Sequence, residues 1–114
     1  MVERVGTLVI GGGQAGVAAS AHLQERGLPH LVLERARIAE RWRTGRWDSL
    51  VANGPAWHDR FPVKTFDHLH PDAFAGKEDI AAYFQELAEE RALPIRCGVA
   101  VTRLTPRTGG GFIA

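Results

Sequence analysis

Along the chain, the spacing of apolar positions changes several times. Val5, Thr7, Leu8, Val9 and Ile10 make a nearly continuous apolar or β-branched run around Gly6, the pattern of a strand covered on both faces. Glycines 11, 12 and 13 break it. Ala15, Val17, Ala18, Ala19, Ala21 and Leu23 then supply helix formers, small on the early turns, and predict a helix from about Gln14 to Arg26. Gly27 stands at the C′ position, Pro29 blocks continuation, and His30 to Glu34 reads as a second buried strand. A strand, helix, strand unit predicts a parallel pair joined by a right-handed crossover, hence an α/β fold.

Between Arg35 and Gly76 the periodicity fades, while glycines and prolines punctuate a stretch that holds all three tryptophans. A loop of this length inside a compact domain is usually functional. From Lys77 to Ala92, Ile80, Tyr83, Phe84, Leu87, Ala88 and Arg91 follow helical spacing, with Glu78 and Asp79 in the first turn where the macrodipole favours them. After Pro94, Ile95 to Cys97 and Val99 to Leu104 read as strands. A Thr108-Gly109-Gly110-Gly111 turn then leads into Phe112-Ile113. So short a returning strand, and a sheet with bare apolar edges, predict that the chain is the N-terminal portion of a larger fold. The apolar face around Phe84 and Leu87 is expected to lie uncovered.

With 114 residues the chain holds one domain, 1–114, with stretches at 5–35, 36–76 and 77–114. Lys+Arg 14 against Asp+Glu 13 leaves a net charge of +1, so no global field draws nucleic acid or an anionic membrane. Arg35, Arg37, Arg41, Arg43 and Arg46 interleave with Trp42 and Trp47, but no basic surface continues them. They read as solvated groups with one or two kept for phosphates, and no nucleic-acid partner is expected. The lone Cys97 excludes a disulfide framework, is expected to be a small buried side chain, and fits a reducing, cytoplasmic setting. No apolar run approaches the ~18–20 residues of a membrane span. Asp67-His68-Leu69-His70 places two imidazoles on one face of a possible strand but lacks a third ligand, so no metal is expected. The oligomeric state is left open.

The strongest chemical signal is Gly11-Gly12-Gly13-Gln14-Ala15-Gly16, a G-x-G-x-x-G between a strand and a helix. Gly11 permits the tight turn, Gly13 lets backbone approach a pyrophosphate, and Gly16 lets helix and strand pack closely. The helix N-terminus offers free N–H groups and the positive end of a dipole. Glu34, closing the second strand, is placed for ribose hydroxyls and disfavours a 2′-phosphate, so this site should take FAD or NAD.

These residues, with Ser20, Gly27 and Leu33-Glu34-Arg35, resemble the FAD-binding N-terminus of the two-dinucleotide-binding-domain flavoproteins. Glu40-Arg41-Trp42-Arg43, Arg46-Trp47-Asp48-Ser49-Leu50, Asn53-Gly54-Pro55, Phe61-Pro62 and Lys77-Glu78-Asp79-Ile80 with Tyr83 narrow the resemblance. They point to the flavin-containing monooxygenases and related FAD-dependent oxidoreductases. The resemblance implies an incomplete Rossmann-like FAD-binding domain with a parallel sheet. It also implies an enzyme whose FAD is reduced by NAD(P)H and reacts with oxygen to a C4a-(hydro)peroxyflavin, which oxygenates a small organic substrate. By the same resemblance, Gly11, Gly13, Gln14, Ala15 and Gly16 would cradle the FAD pyrophosphate, and Glu34 would hold the adenosine ribose. Arg35 would lie by the adenine and Val101 would read its edge through backbone. Arg41 and Trp42 would flank the cofactor, and Asn53 would face the flavin as the catalytic amide. Ala39 and Glu40 replace the glycines usual before the tryptophan, and neither a second glycine motif nor an Ala-Thr-Gly strand is present. The segment alone is therefore expected to bind FAD weakly and to be inactive. An FAD-dependent oxidoreductase that does not oxygenate, and a non-catalytic nucleotide-binding module, are the other readings. Trp57 and His58 either line a substrate passage or pack.

Overall fold

The computed structural model describes residues 2–114. The elements run β1 (Thr7–Ile10), α1 (Gln14–Glu25), β2 (His30–Glu34), α2 (Glu40–Thr44), α3 (Lys77–Glu90), β3 (Ile95–Cys97), and a hairpin of β4 (Thr105–Pro106) and β5 (Phe112–Ile113). The first three strands form one parallel sheet in the order β1-β2-β3, with Thr7 opposite His30 and Val32 opposite Ile95. This is the expected α/β frame, with β2 central and α1 and α3 in contact. Gln24 Nε2 joins the two helices by donating to the Arg91 carbonyl at 2.6 Å.

Both long helices end in the same way. Gly27 (φ 65°) sends the Leu28 N–H back to the Leu23 carbonyl at 3.0 Å and its own N–H to Gln24 at 3.0 Å. The pair forms a Schellman closure. Ala92 (φ 48°) repeats it after α3, with Leu93 N–H on Ala88 at 3.0 Å, so a residue with a Cβ occupies the left-handed position. At the other end of α3, Asp79 accepts the Gly76 N–H at 3.2 Å.

The core lies between α3 and the segment that precedes it. Ile80, Tyr83, Phe84, Leu87 and Ala88 are buried, and Phe61, Val63, Phe66 and Leu69 pack over them. The face around Phe84 and Leu87 is thus covered from within the chain, contrary to the expectation of a bare surface. Tyr83 pins the cover: its hydroxyl accepts the Phe61 N–H at 2.8 Å and donates to the Lys64 carbonyl at 2.6 Å. Phe66 stacks on its ring at 4.3 Å. Lys64 is buried beside it, and burial alone would weaken its charge. Glu90 at 3.1 Å and Asp67 at 3.5 Å reverse this and hold the ammonium above its ordinary pKa.

Several expectations are corrected. Within 36–76 a five-residue helix, α2, stands where the sequence shows no period. Val99 to Leu104 is not a strand: Gly98 (φ 76°) turns the chain after β3, Val99 N–H bonds to the Glu34 carbonyl, and pairing resumes only at Thr105. Cys97 is exposed because β3 is an edge strand. β1 is an edge as well, and Ile10 is 52% exposed rather than covered on both faces. Asp67 to His70 forms a turn, not a strand, so the two imidazoles do not share a pleated face. Among the described residues, no helix is long and apolar enough to cross a membrane.

Candidate functional site

The glycine turn joins the end of β1 to the start of α1, as the spacing requires. Gly11 has φ 106°, a conformation open to glycine, and its N–H bonds to the Leu33 carbonyl at 2.9 Å. A Cβ on Gly16 would stand 1.8 Å from the Gly11 carbonyl oxygen, so only glycine lets α1 begin this close to the turn. A Cβ on Gly13 would meet no atom within 4 Å. The space beside Gly13 is a cleft of about 790 Å³, which Gly11, Gln14, Glu34, Arg35, Arg41, Trp42 and Val101 also line. Ala15 and Gly16 belong to the first turn of α1 and do not line it. That first turn has no side-chain cap and no acidic residue, so its N–H groups are left as donors for an anion.

Glu34 is 8% exposed at the end of β2. Its Oε1 accepts the Gly12 N–H at 2.9 Å and its Oε2 accepts the Ala36 N–H at 2.6 Å. Gly12 is further tied through its carbonyl, which accepts the Ala39 N–H at 2.9 Å. The sequence motif treats Gly12 as the variable position, yet a Cβ there would sit 3.0 Å from the Glu34 Cβ. Glycine at position 12 therefore has a steric reason that the spacing does not reveal. Ala39, which caps α2 in the left-handed region (φ 59°), is one end of this same brace.

A second cleft, of about 550 Å³, shares Gln14, Trp42 and Arg46 with the first and continues to Asn53, His58, Asp59, Arg60, Phe61 and Tyr83. The Arg46 guanidinium lies 4.8 Å from the centre of the Trp42 ring, a cation–π contact that leaves Trp42 as the partition between the two spaces. Asn53 and the glycine turn thus lie in two adjoining clefts, a groove divided at Trp42. His58 lines that groove, whereas Trp57 is 58% exposed outside it. The Asn53-Gly54-Pro55 turn is closed by Asp59, whose Oδ2 accepts the Gly54 N–H at 2.7 Å. A Cβ at Gly54 would lie 2.6 Å from the Asp59 Oδ1 and would press on that carboxylate. The sequence does not single out Asp59, because five residues of irregular chain hide the pairing.

The family described as pyridine nucleotide-disulphide oxidoreductase matches residues 8–113. A probable indole-3-pyruvate monooxygenase, YUCCA1 of Arabidopsis thaliana, is 32% identical over 108 residues, 94% of this chain and 26% of that protein. An uncharacterized CzcO-like oxidoreductase of Geobacillus kaustophilus is 33% identical over 105 residues, 91% of this chain and 30% of that protein. The chain therefore spans less than a third of the length of these relatives. Among solved structures, the flavin-containing monooxygenase from Stenotrophomonas maltophilia superposes with a TM-score of 0.79 at 24% identity. It covers 97% of this chain and 36% of the other. That likeness shows a shared Rossmann-like fold, matched over the N-terminal part.

Proposed function

The chain belongs to the pyridine nucleotide-disulphide oxidoreductase family, and from that premise we propose that it is the FAD-holding part of an NAD(P)H-consuming flavoprotein monooxygenase acting on a small organic substrate. The observation that carries the reading is the uncapped start of α1, set behind Gly13 in an open cleft and beside the buried Glu34.

The groove's residues fit the group. The N–H donors of Gln14, Ala15 and Gly16 would bind the pyrophosphate, and Gly11 and Gly13 would allow its approach. Glu34 spends one oxygen on Gly12 and the other on Ala36, and each carboxylate oxygen keeps a second lone pair for a ribose hydroxyl. Arg35 and Val101 would border the adenine end. Arg41 and Trp42 would lie along the middle, and Trp42 would separate nucleotide from flavin. Bound FAD supplies electron transfer from NAD(P)H and activation of oxygen. Asn53, lining the second cleft, would present its amide to the ring, with the turn held by Asp59. The relatives' names, monooxygenase and oxidoreductase, support both the oxygenating reading and its coarser form.

The test is to purify the full protein, measure flavin absorbance, and supply NADPH or NADH with oxygen while assaying oxygenated product and hydrogen peroxide. A yellow protein that makes product supports the proposal. A yellow protein that makes only peroxide supports an oxidoreductase that does not oxygenate, and a colourless one overturns the FAD assignment.

A further inference from the structure

The carboxylate that closes the Asn53 turn has a second partner. Asp59 Oδ1 is 2.7 Å from His58 Nδ1, while its Oδ2 holds the Gly54 N–H. His58 and the Gly54 amide keep the Asp59 carboxyl below its ordinary pKa of 3.8, so it is ionised at neutral pH and only accepts. The hydrogen shared with His58 is consequently on Nδ1, which leaves Nε2 as the nitrogen whose protonation changes. The Trp57 ring meets the imidazole edge-on at 5.5 Å and helps fix its plane. The His58 side chain is 66% exposed and lines the same cleft as Asn53, so it exchanges protons with solvent.

We propose that His58 is the proton donor of this cleft and that Asp59 is the residue that positions it, coupling its tautomer to the Asn53 turn. The inference rests on the monooxygenase reading. Its overall balance is S + O2 + NAD(P)H + H+ → SO + NAD(P)+ + H2O, which consumes one proton. The Nε2–H bond of the imidazolium breaks and its proton joins the atom of O2 that does not enter the substrate, which the two electrons of NAD(P)H have brought to the level of hydroxide, so that water forms. Neutral His58 then regains a proton from solvent, and no electron passes through the pair. Arg46, Arg60 and Asp59 are the charged groups that line this cleft with His58. Tyr83 from α3, its phenol pKa raised by burial, is neutral.

The decisive variants are Asp59→Asn and His58→Gln in the full-length protein. The side-chain amide that Asp59→Asn introduces can still accept the Gly54 N–H through its carbonyl oxygen. Its N–H, however, donates to His58 Nδ1 and moves the ring hydrogen to Nε2. Imidazole nitrogen shifts measured by NMR, without flavin, should show the Nδ1–H tautomer in the native protein and Nε2–H in Asp59→Asn. With FAD bound, His58→Gln should keep flavin absorbance and lower the rate of product formation by on the order of 10²-fold. It should also flatten the dependence of that rate on pH. An unchanged tautomer in Asp59→Asn overturns the pairing. An unchanged rate and pH profile in His58→Gln overturns the proton-donor role. A protein that takes up no flavin overturns the monooxygenase reading and the donor role with it, while the tautomer measurement still decides the pairing.

Discussion

Glu34 Oε1 accepts the Gly12 N–H at 2.9 Å, so the acid that ends β2 is built into the glycine turn itself. Glu34→Ala should cost about 1–3 kcal/mol, because it leaves a buried N–H without its acceptor. For a domain of about this size that lowers the melting temperature by ~4–8 °C per kcal/mol. The melt is done without cofactor. An unchanged melting temperature would mean that Glu34 contributes nothing to the turn in the free protein.

Two glycines of one motif should fail in different ways. Gly16→Ala places a Cβ 1.8 Å from the Gly11 carbonyl and should prevent a cooperative fold. Gly13→Val projects into open space and should leave the melt near native while abolishing flavin absorbance. Circular dichroism and absorbance on both variants separate the cases, and full flavin content in Gly13→Val would remove that position from the site.

Ala92→Gly should stabilise the protein by about 1 kcal/mol, since alanine there occupies a left-handed position that glycine enters without strain. Denaturant unfolding reads the gain directly. A loss of stability would show that the entropy of the added glycine outweighs the relief.

Tyr83→Phe removes both the acceptor for Phe61 N–H and the donor to the Lys64 carbonyl. A loss of about 1–3 kcal/mol is expected, concentrated in the cover around 61–69. Amide hydrogen exchange should rise there first. Uniform exchange across the chain would contradict the pinning role.

Acid should weaken the fold modestly in a defined window, since the pairs concerned are exposed and screened. Hydrogen bonds from Arg37 lower Glu40 from 4.5 to about 2, and those from Lys77 and His58 lower Asp48 and Asp59 from 3.8. Carboxylates held below their unfolded values stabilise the fold above those values, and the contribution is lost as pH falls through the folded ones. The denaturant midpoint should thus be flat above about pH 5 and decline from there toward about pH 2. A midpoint that holds constant to the acid end would rule this out.

The frame is legible in the sequence because it rests on period and punctuation. Apolar runs, Gly27 and Pro29 define β1, α1 and β2 almost to the residue, and Ile80 to Ala88 define α3. The misreadings share a cause, since each depends on a partner that spacing does not encode. α2 is too short to show a period, and its start depends on Ala39 N–H reaching Gly12. Val99 to Leu104 has strand composition but no neighbouring strand to pair with. Cys97 is apolar by type but sits on an edge. In the groove, the glycines and Glu34 are visible from a known spacing, whereas Asp59, which shapes the Asn53 turn, acts through contacts inside an irregular loop.

The excursion between α2 and α3 leaves and re-enters the frame at one clasp. Val51 bridges Gly76, and Ala52 N–H reaches the Ala75 carbonyl at 2.8 Å. Closure entropy rises only slowly with the length of such a loop, by ~0.6 kcal/mol for each doubling. Residues can therefore be gained or lost beyond the clasp, outside the 61–69 cover, with little penalty to β1, β2 and the turn they hold. Asn53 and His58 ride on that side of the clasp and the glycines do not. Insertions and deletions there would reshape the cleft that Asn53 and His58 line while leaving the glycine turn as it is.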